Sequence, residues 1–324
     1  MSKSRLGSIC SERKARGLSK ETLELIDYAR KLLNAQNPMT LRQLHYAIFS
    51  RNEIDYANDK ASYSRLGRAT TTARRAYREW ELAGSGGPQP AHGIQPDLMV
   101  DETRQPETVS VWENAKEYVD TVSRAYRRDN WQTQPRHVEV WSEKGTVLGS
   151  IRPIASKWGI TTRVCHGYGS CGQEMDVGSV FESIGSDKEI TVFYLGDHDP
   201  SGVQMQEDIH RRAQTESGVE FTMARLAIHP EDIARFNLPP QKIKEKDSRA
   251  AGFKRQFGAN AATVELDALP VEELRSRIEN AVLKLVDHER WNRQIAVQKI
   301  ELDCISEFAE RMKNLPQINP EVML

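Results

Sequence analysis

From residue 20 to residue 82 the apolar positions recur at helical spacing. In SKETLELIDYARKLLNAQ, Leu25, Tyr28, Ala29, Leu32 and Leu33 share one face, with Ser19 and Thr22 as candidate caps. Asn37-Pro38 breaks this helix, and Thr40 is placed to cap a second, LRQLHYAIFSR. There Leu41, Leu44 and Ile48 form the expected buried stripe, while Arg42 and Tyr46 share another face one turn apart, which predicts an exposed Tyr46. ASYSRLGRATTTARRAYREWEL predicts a third, basic helix. Two helices joined by a short turn, then a loop and a basic helix, are the layout of a helix-turn-helix or winged-helix module. AGSGGPQPAHGIQPD concentrates four glycines and three prolines, as suits a wing, loop or linker.

Beyond about residue 110 the pattern changes. VWENAKEYVDTVSRAYRRDNW predicts a connecting helix, and RHVEVW alternates like a strand. GTVLGSIRPIASKWG reads as a helix with Pro153 near a kink, ITTRVC as a strand, GYGS as a turn and GQEMDVGSVFESIGS as a helix. EITVFYL is a third strand and SGVQMQEDIHRRAQ the helix after it. Strand and helix thus alternate three times, predicting an α/β fold with a mostly parallel, Rossmann-like sheet and right-handed crossovers. Ligands of such sheets gather at the carboxyl ends of the strands. After Pro239-Pro240 the chain becomes charged. VELDALP then precedes one long helix or two packed ones, PVEELRSRIENAVLKLVDHERWNRQIAVQKIELDCISEFAERM. The expected organisation is a flexible basic tail (1–20), a winged-helix-like domain (21–108), an α/β domain (109–240) and its C-terminal part with a helical extension (241–324).

Composition narrows this picture without redrawing it. The 324 residues suit about two domains, and 38% hydrophobic with 28% charged residues is an ordinary soluble composition. No apolar run approaches the roughly 20 residues of a membrane span. The basic N-terminus lacks the apolar core of a secretory signal. Cys10, Cys165, Cys171 and Cys304 show no metal-knot spacing, which predicts a reduced, cytoplasmic, nucleoid-associated protein. Net charge is −1, but the charges are not evenly spread. Lys60, Arg65, Arg68, Arg74, Arg75 and Arg78 follow one another with no acid between them, and Lys242, Lys244, Lys246, Arg249, Lys254 and Arg255 form a second group against two acids. Such patches are either solvated helix faces or the footprint of a phosphate-binding surface. Arg65, Arg68, Arg74, Arg75, Arg78, Lys254 and Arg255 are the candidate DNA contacts.

The candidate chemistry lies in FYLGDHDPSG. Residues two apart on extended backbone point to the same side, so Asp197 and Asp199 can converge while His198 turns away. Glu143, in VEVWSEKGT, ends the first predicted strand and brings a third acid to the same rim; Glu139 is its rival but falls inside the strand. Hard carboxylate oxygens with waters and a substrate phosphate are what Mg²⁺ takes. The plainer reading of Asp199, before Pro-Ser-Gly, is a helix cap. The calcium-loop pattern that DHDPSGVQMQED loosely matches is set aside, since it needs an incoming helix rather than a strand.

WSEK at a strand end, YLGDHDPSG some fifty residues later and VELDALP beyond resemble the Toprim domain of the topoisomerase VI A-subunit family. That family includes the meiotic double-strand-break proteins and small bacterial, plasmid and phage relatives. TLRQLHYAIF is similar to the family's first winged-helix signature, with His45-Tyr46 in place of its aromatic pair. The resemblance covers roughly residues 40 to 290. It implies that Glu143, Asp197 and Asp199 bind Mg²⁺ (or Mn²⁺) and that Tyr46, helped by Arg42 and Glu143, cleaves double-stranded DNA to leave a 5′-phosphotyrosyl link. It also implies a homodimer, in which the tyrosine of one subunit meets the metal of the other. No ATP-binding motif is present in the sequence, so a GHKL-type ATPase subunit would be a separate chain. Two other functions stand beside this one: a Toprim nuclease that uses metal-activated water, in phage or plasmid defence, and a non-catalytic DNA-binding module.

Overall fold

The computed structural model of the protein describes residues 18–85, 87–100, 109–165, 171–185, 187–243 and 247–313. Most of the expected basic tail, the turn expected at 167–170, and Lys244 and Lys246 lie outside the described residues. The chain divides into two compact units, Met1–Met99 and Val100–Leu324.

The first unit is built on three helices: α1 (Lys20–Gln36), α2 (Leu41–Arg51) and α3 (Lys60–Leu82). Ser19 caps α1 by accepting from the Thr22 N–H. Thr40 and Gln43 form a reciprocal capping box at the start of α2, and Asp59 caps α3 by accepting from the Ser62 N–H. Their buried faces meet in a core of Leu25, Ile26, Leu32, Leu33, Leu44, Ile48, Leu66, Ala69 and Ala73. Among the described residues the Gly/Pro-rich stretch after α3 forms no strand. It runs as a loop through a single 3₁₀ turn at Pro96–Leu98 to one isolated parallel bridge, Met39 with Met99.

The second unit opens with α4 (Ala115–Ala125) and then alternates: β1 (Arg136–Ser142), α5 (Gly145–Trp158), β2 (Thr161–Val164), α6 (Cys171–Gly185), β3 (Glu189–Leu195), α7 (Pro200–Ser217) and β4 (Thr222–Ala227). Four further helices follow: α8 (Pro230–Arg235), α9 (Ala250–Phe257), α10 (Val271–Leu283) and α11 (His288–Lys313). The sheet has the order β2-β1-β3-β4 and every pairing is parallel. The fold is therefore α/β with additional helices. Chain connections leave β1 toward β2 on one side and β3 toward β4 on the other. The strand order reverses between β1 and β3, and a crevice for ligands opens at the carboxyl ends of such a pair.

Alternation along the strands sorts the core. Trp141, Ile190, Val192 and Tyr194 pack with Val177, Phe181, Ile209 and Ala213 of α6 and α7. Between those strand residues, Val138, Val140, Phe193 and Leu195 are buried toward the other face. Away from the carboxyl ends, the indoles of Trp131 and Trp158 each meet Trp291, at centroid distances of 5.6 and 5.2 Å. No helix among the described residues is long and apolar enough to cross a membrane.

Candidate active site

The carboxyl end of β1 is stitched to that of β3. Glu143 N–H donates to the Leu195 carbonyl (2.9 Å), and the Asp197 N–H in turn donates to Glu143 Oε2 (3.1 Å). Gly196 continues the ladder to β4 through the Ala227 carbonyl, and His198 makes a two-bond antiparallel bridge with Val264. The loop from 196 to 199 is thus gripped from both sides. Asp199 starts α7 as its cap: Oδ1 accepts from the Gly202 N–H (2.6 Å) and the Ser201 hydroxyl (2.8 Å). The helix-cap reading of Asp199 is correct for that oxygen. Only glycine fits at 202, because a Cβ there would lie 2.5 Å from the Asp197 carbonyl oxygen and 3.1 Å from Glu143 Oε2. His198 turns away, 2% exposed, with its ring against Phe253 and Phe257 of α9. Burial, together with nearby Arg225, brings its pKa down to about 4, so it is neutral at physiological pH.

Charge at this edge is crowded. Burial, then the neighbouring Asp197 carboxylate, pushes the Glu143 carboxyl up to about 7. Burial also raises Asp197, against the opposing pull of Lys144 and the Leu266 N–H, which donates to Asp197 Oδ1 at 2.7 Å. Lys144 Nζ lies 3.0 Å from Asp197 Oδ1, 2.9 Å from Asp267 Oδ2 and 3.4 Å from Glu265 Oε2. Arg225 braces the backbone from below, donating to the carbonyls of Gly196, Asp197 and Gly202. Each of Glu143, Asp197 and Asp199 keeps a second oxygen that accepts no hydrogen bond among the described residues. Among those residues, however, no three His, Cys, Asp or Glu side chains already form a group able to hold a metal ion. A cleft of about 530 Å³ opens beside Asp197, Asp199 and Glu265, and Lys242, Ser248 and Arg249 also line it.

Within the first unit, the expected exposure of Tyr46 is overturned: Tyr46 is 5% exposed. The helix α2 buries Gln43, Leu44, His45, Tyr46 and Ile48, more than one stripe, and the segment after it folds back onto His45. His45 anchors that segment, with Nδ1 2.6 Å from the Tyr56 hydroxyl and Nε2 3.0 Å from Asn58 Oδ1. Arg42 is exposed as expected, its guanidinium 5.9 Å from the Tyr63 ring centroid. Of the basic candidates on α3, Arg68, Arg75 and Arg78 are exposed, with Arg78 paired to Glu81 (2.9 Å). Arg65 and Arg74 are half-buried, and Arg65 stacks over Tyr56. Lys254 and Arg255 are exposed on α9.

Sequence reasoning did not single out Lys144, Arg225, Glu265 or Asp267. Signals for three of them were present: Lys144 follows Glu143 in WSEK, and VELDALP carries two acids two residues apart. Compared with known proteins, the chain matches no family model and no curated protein.

Proposed function

We propose that this chain binds double-stranded DNA and cleaves it with the help of a divalent metal ion, in the manner of the topoisomerase VI A subunits, its second unit being a Toprim domain. The observation that carries the reading is the meeting of Glu143 with the Asp197-x-Asp199 pair at the strand-order reversal, joined by the Asp197 N–H to Glu143 Oε2 bond. Three carboxylates there each keep one oxygen without a hydrogen bond among the described residues. Such hard oxygens suit Mg²⁺ or Mn²⁺, and Mg²⁺ ordinarily takes one or two carboxylates and completes its shell with waters and phosphate. That habit is compatible with the absence of a ready three-ligand group among the described residues. A bound ion supplies the positive charge that a reacting phosphodiester needs.

The chain's own residues divide the remaining work. Asp197 and Asp199 would hold the ion, and Glu143 would complete the rim. Tyr46 would attack phosphorus through its hydroxyl oxygen, forming a phosphotyrosyl bond as the bond to the 3′ oxygen breaks. The phenol's proton ends on the departing 3′-hydroxyl. A free phenol titrates near 10, so it needs a cation such as Arg42 to become a nucleophile at neutral pH. Arg68, Arg75, Arg78, Lys254 and Arg255 supply exposed positive charge for the DNA backbone. A second copy of the chain and a separate GHKL-type ATPase belong to the same proposal.

The burial of Tyr46 favours a second reading, in which water is the nucleophile and the protein is a Toprim nuclease. One experiment separates them. Cleavage of radiolabelled duplex DNA is stopped with denaturant and resolved on a gel. Tyrosine chemistry gives a protein attached to a 5′ end, which Tyr46→Phe abolishes together with cutting. Water chemistry gives cutting by both proteins and no adduct. Absence of any metal-dependent cutting, alone or with an ATPase partner, would remove both readings.

A further inference from the structure

Lys144 is a cation bonded directly into the acidic edge. Its ammonium touches Asp267 Oδ2, Asp197 Oδ1 and Glu265 Oε2, and the side chain is 23% exposed. Asp267 is 2% exposed, and its other oxygen is buried without a hydrogen-bond partner among the described residues. The Lys144 ammonium therefore faces three carboxylates at once, with Glu143 adjoining. A buried carboxylate is tolerated only when it is paired. Lys144 is what allows the 265–267 segment and the loop after β3 to share one edge. It also spends its contact on Asp197, one of the three acids read above as metal ligands.

We propose that Lys144 is a positioning residue with two linked effects. It holds Asp197 against the 265–267 segment when no metal is bound, and it competes with a divalent ion for Asp197, so that it sets the metal affinity of the site. The same ammonium that preserves the arrangement of the acids repels an incoming dication a few ångströms away, an interaction only partly screened at a largely buried edge. The protein thereby keeps a stable metal-free form at the expense of weaker metal binding. This inference rests on the metal reading of Asp197.

The test uses the whole chain without DNA and Mn²⁺ alone as the probe, by titration calorimetry and thermal melting. Lys144→Met should melt lower than wild type in the absence of metal, bind Mn²⁺ about tenfold more tightly, and gain more in melting temperature on adding it. Lys144→Arg, which keeps the charge, should bind Mn²⁺ as wild type does. Lys144→Met with Asp267→Asn removes one charge of each sign. It should recover much of the metal-free stability while keeping the tighter binding, and it carries the test if the single variant does not fold. A purely structural lysine predicts the same loss of stability with and without Mn²⁺ and no gain in affinity; that result overturns the proposal. Asp197→Asn separates the two layers. If wild type binds Mn²⁺ and Asp197→Asn does not, yet neither lysine-free protein binds more tightly, the Lys144 inference alone fails. If wild type and Asp197→Asn bind equally, the metal reading of Asp197 fails and the competition with it.

Discussion

The middle of the central strand and its carboxyl end treat a glutamate in opposite ways. Glu139, inside β1 and 1% exposed, accepts from Arg163 Nε (2.7 Å) and a terminal guanidinium nitrogen (3.1 Å), from Trp141 Nε1 (2.7 Å), and shares a bond with His137 Nε2 (3.1 Å). Burial opposes its charge, but the bonds to His137 and Arg163 win and hold it at about 2. Four residues on, Glu143 accepts one backbone N–H and faces other carboxylates, and it is raised to about 7. Both are acids near the same sheet, yet only one has been given everything an anion wants. A saturated buried charge is part of the architecture. A crowded and undersupplied one is where a cation or a proton is still needed, and such groups concentrate at functional sites.

The contrast fails if the edge acids prove dispensable. Asp197→Asn or Asp199→Asn should lower metal-dependent DNA cleavage by about 100-fold or more while leaving the fold intact. Asparagine caps a helix as well as aspartate does, so α7 should survive the change at 199. Cleavage assays with calorimetric metal titration check this, and unchanged metal affinity in both variants removes the site.

The interior should respond in stability instead. Glu139→Gln takes the charged carboxylate away from the half-buried Arg163 and should cost about 3 kcal/mol at neutral pH. The sign with pH follows from the depressed value in the fold. The stabilisation is present above the ordinary carboxyl range near 4.5 and is lost as pH falls toward 2. Urea denaturation should therefore show the two proteins far apart at pH 7 and converging near pH 2.5. A gap that does not narrow would mean the charge of Glu139 contributes little.

Gly202→Ala probes the seam between cap and rim. Its Cβ would press on the Asp197 carbonyl at 2.5 Å, so stability should fall by about 1–3 kcal/mol and Mn²⁺ affinity should fall with it. Loss of stability with unchanged affinity would show that the rim does not depend on the start of α7. The smallest effect is expected in the first unit. Replacing Arg68, Arg75 and Arg78 together by Ala should weaken duplex binding about tenfold, alike for unrelated sequences, and flatten its salt dependence. Unaltered binding in a filter or fluorescence titration would move the DNA surface to Lys254 and Arg255.

Much of this arrangement was legible in the order of residues. The three helices of the first unit, three of the four strands and the placing of Glu143 beside the loop that carries Asp197 follow from periodicity and from residues placed at strand ends. What escaped has physical causes. In β4, Thr222–Ala227, Arg225 interrupts the apolar pattern, and an edge strand half-buried along its length does not advertise itself. Tyr46 was expected on an open face because one helix's periodicity does not register what the rest of the unit packs against its other faces, as Tyr56 and Asn58 do against the neighbouring His45. Lys144 meets Glu265 and Asp267 across 121 and 123 residues of chain, a pairing that no local spacing encodes.

The grouping of Trp131, Trp158 and Trp291 gives the two units different optical signatures. Five of the six tryptophans belong to the second unit, and Trp80 is the lone indole of the first, bonded to the Gly87 carbonyl. Intrinsic emission during denaturation will therefore track mainly the melting of the α/β unit, while far-ultraviolet dichroism registers helices from both. Where the two curves separate, the first unit's unfolding can be read without any label.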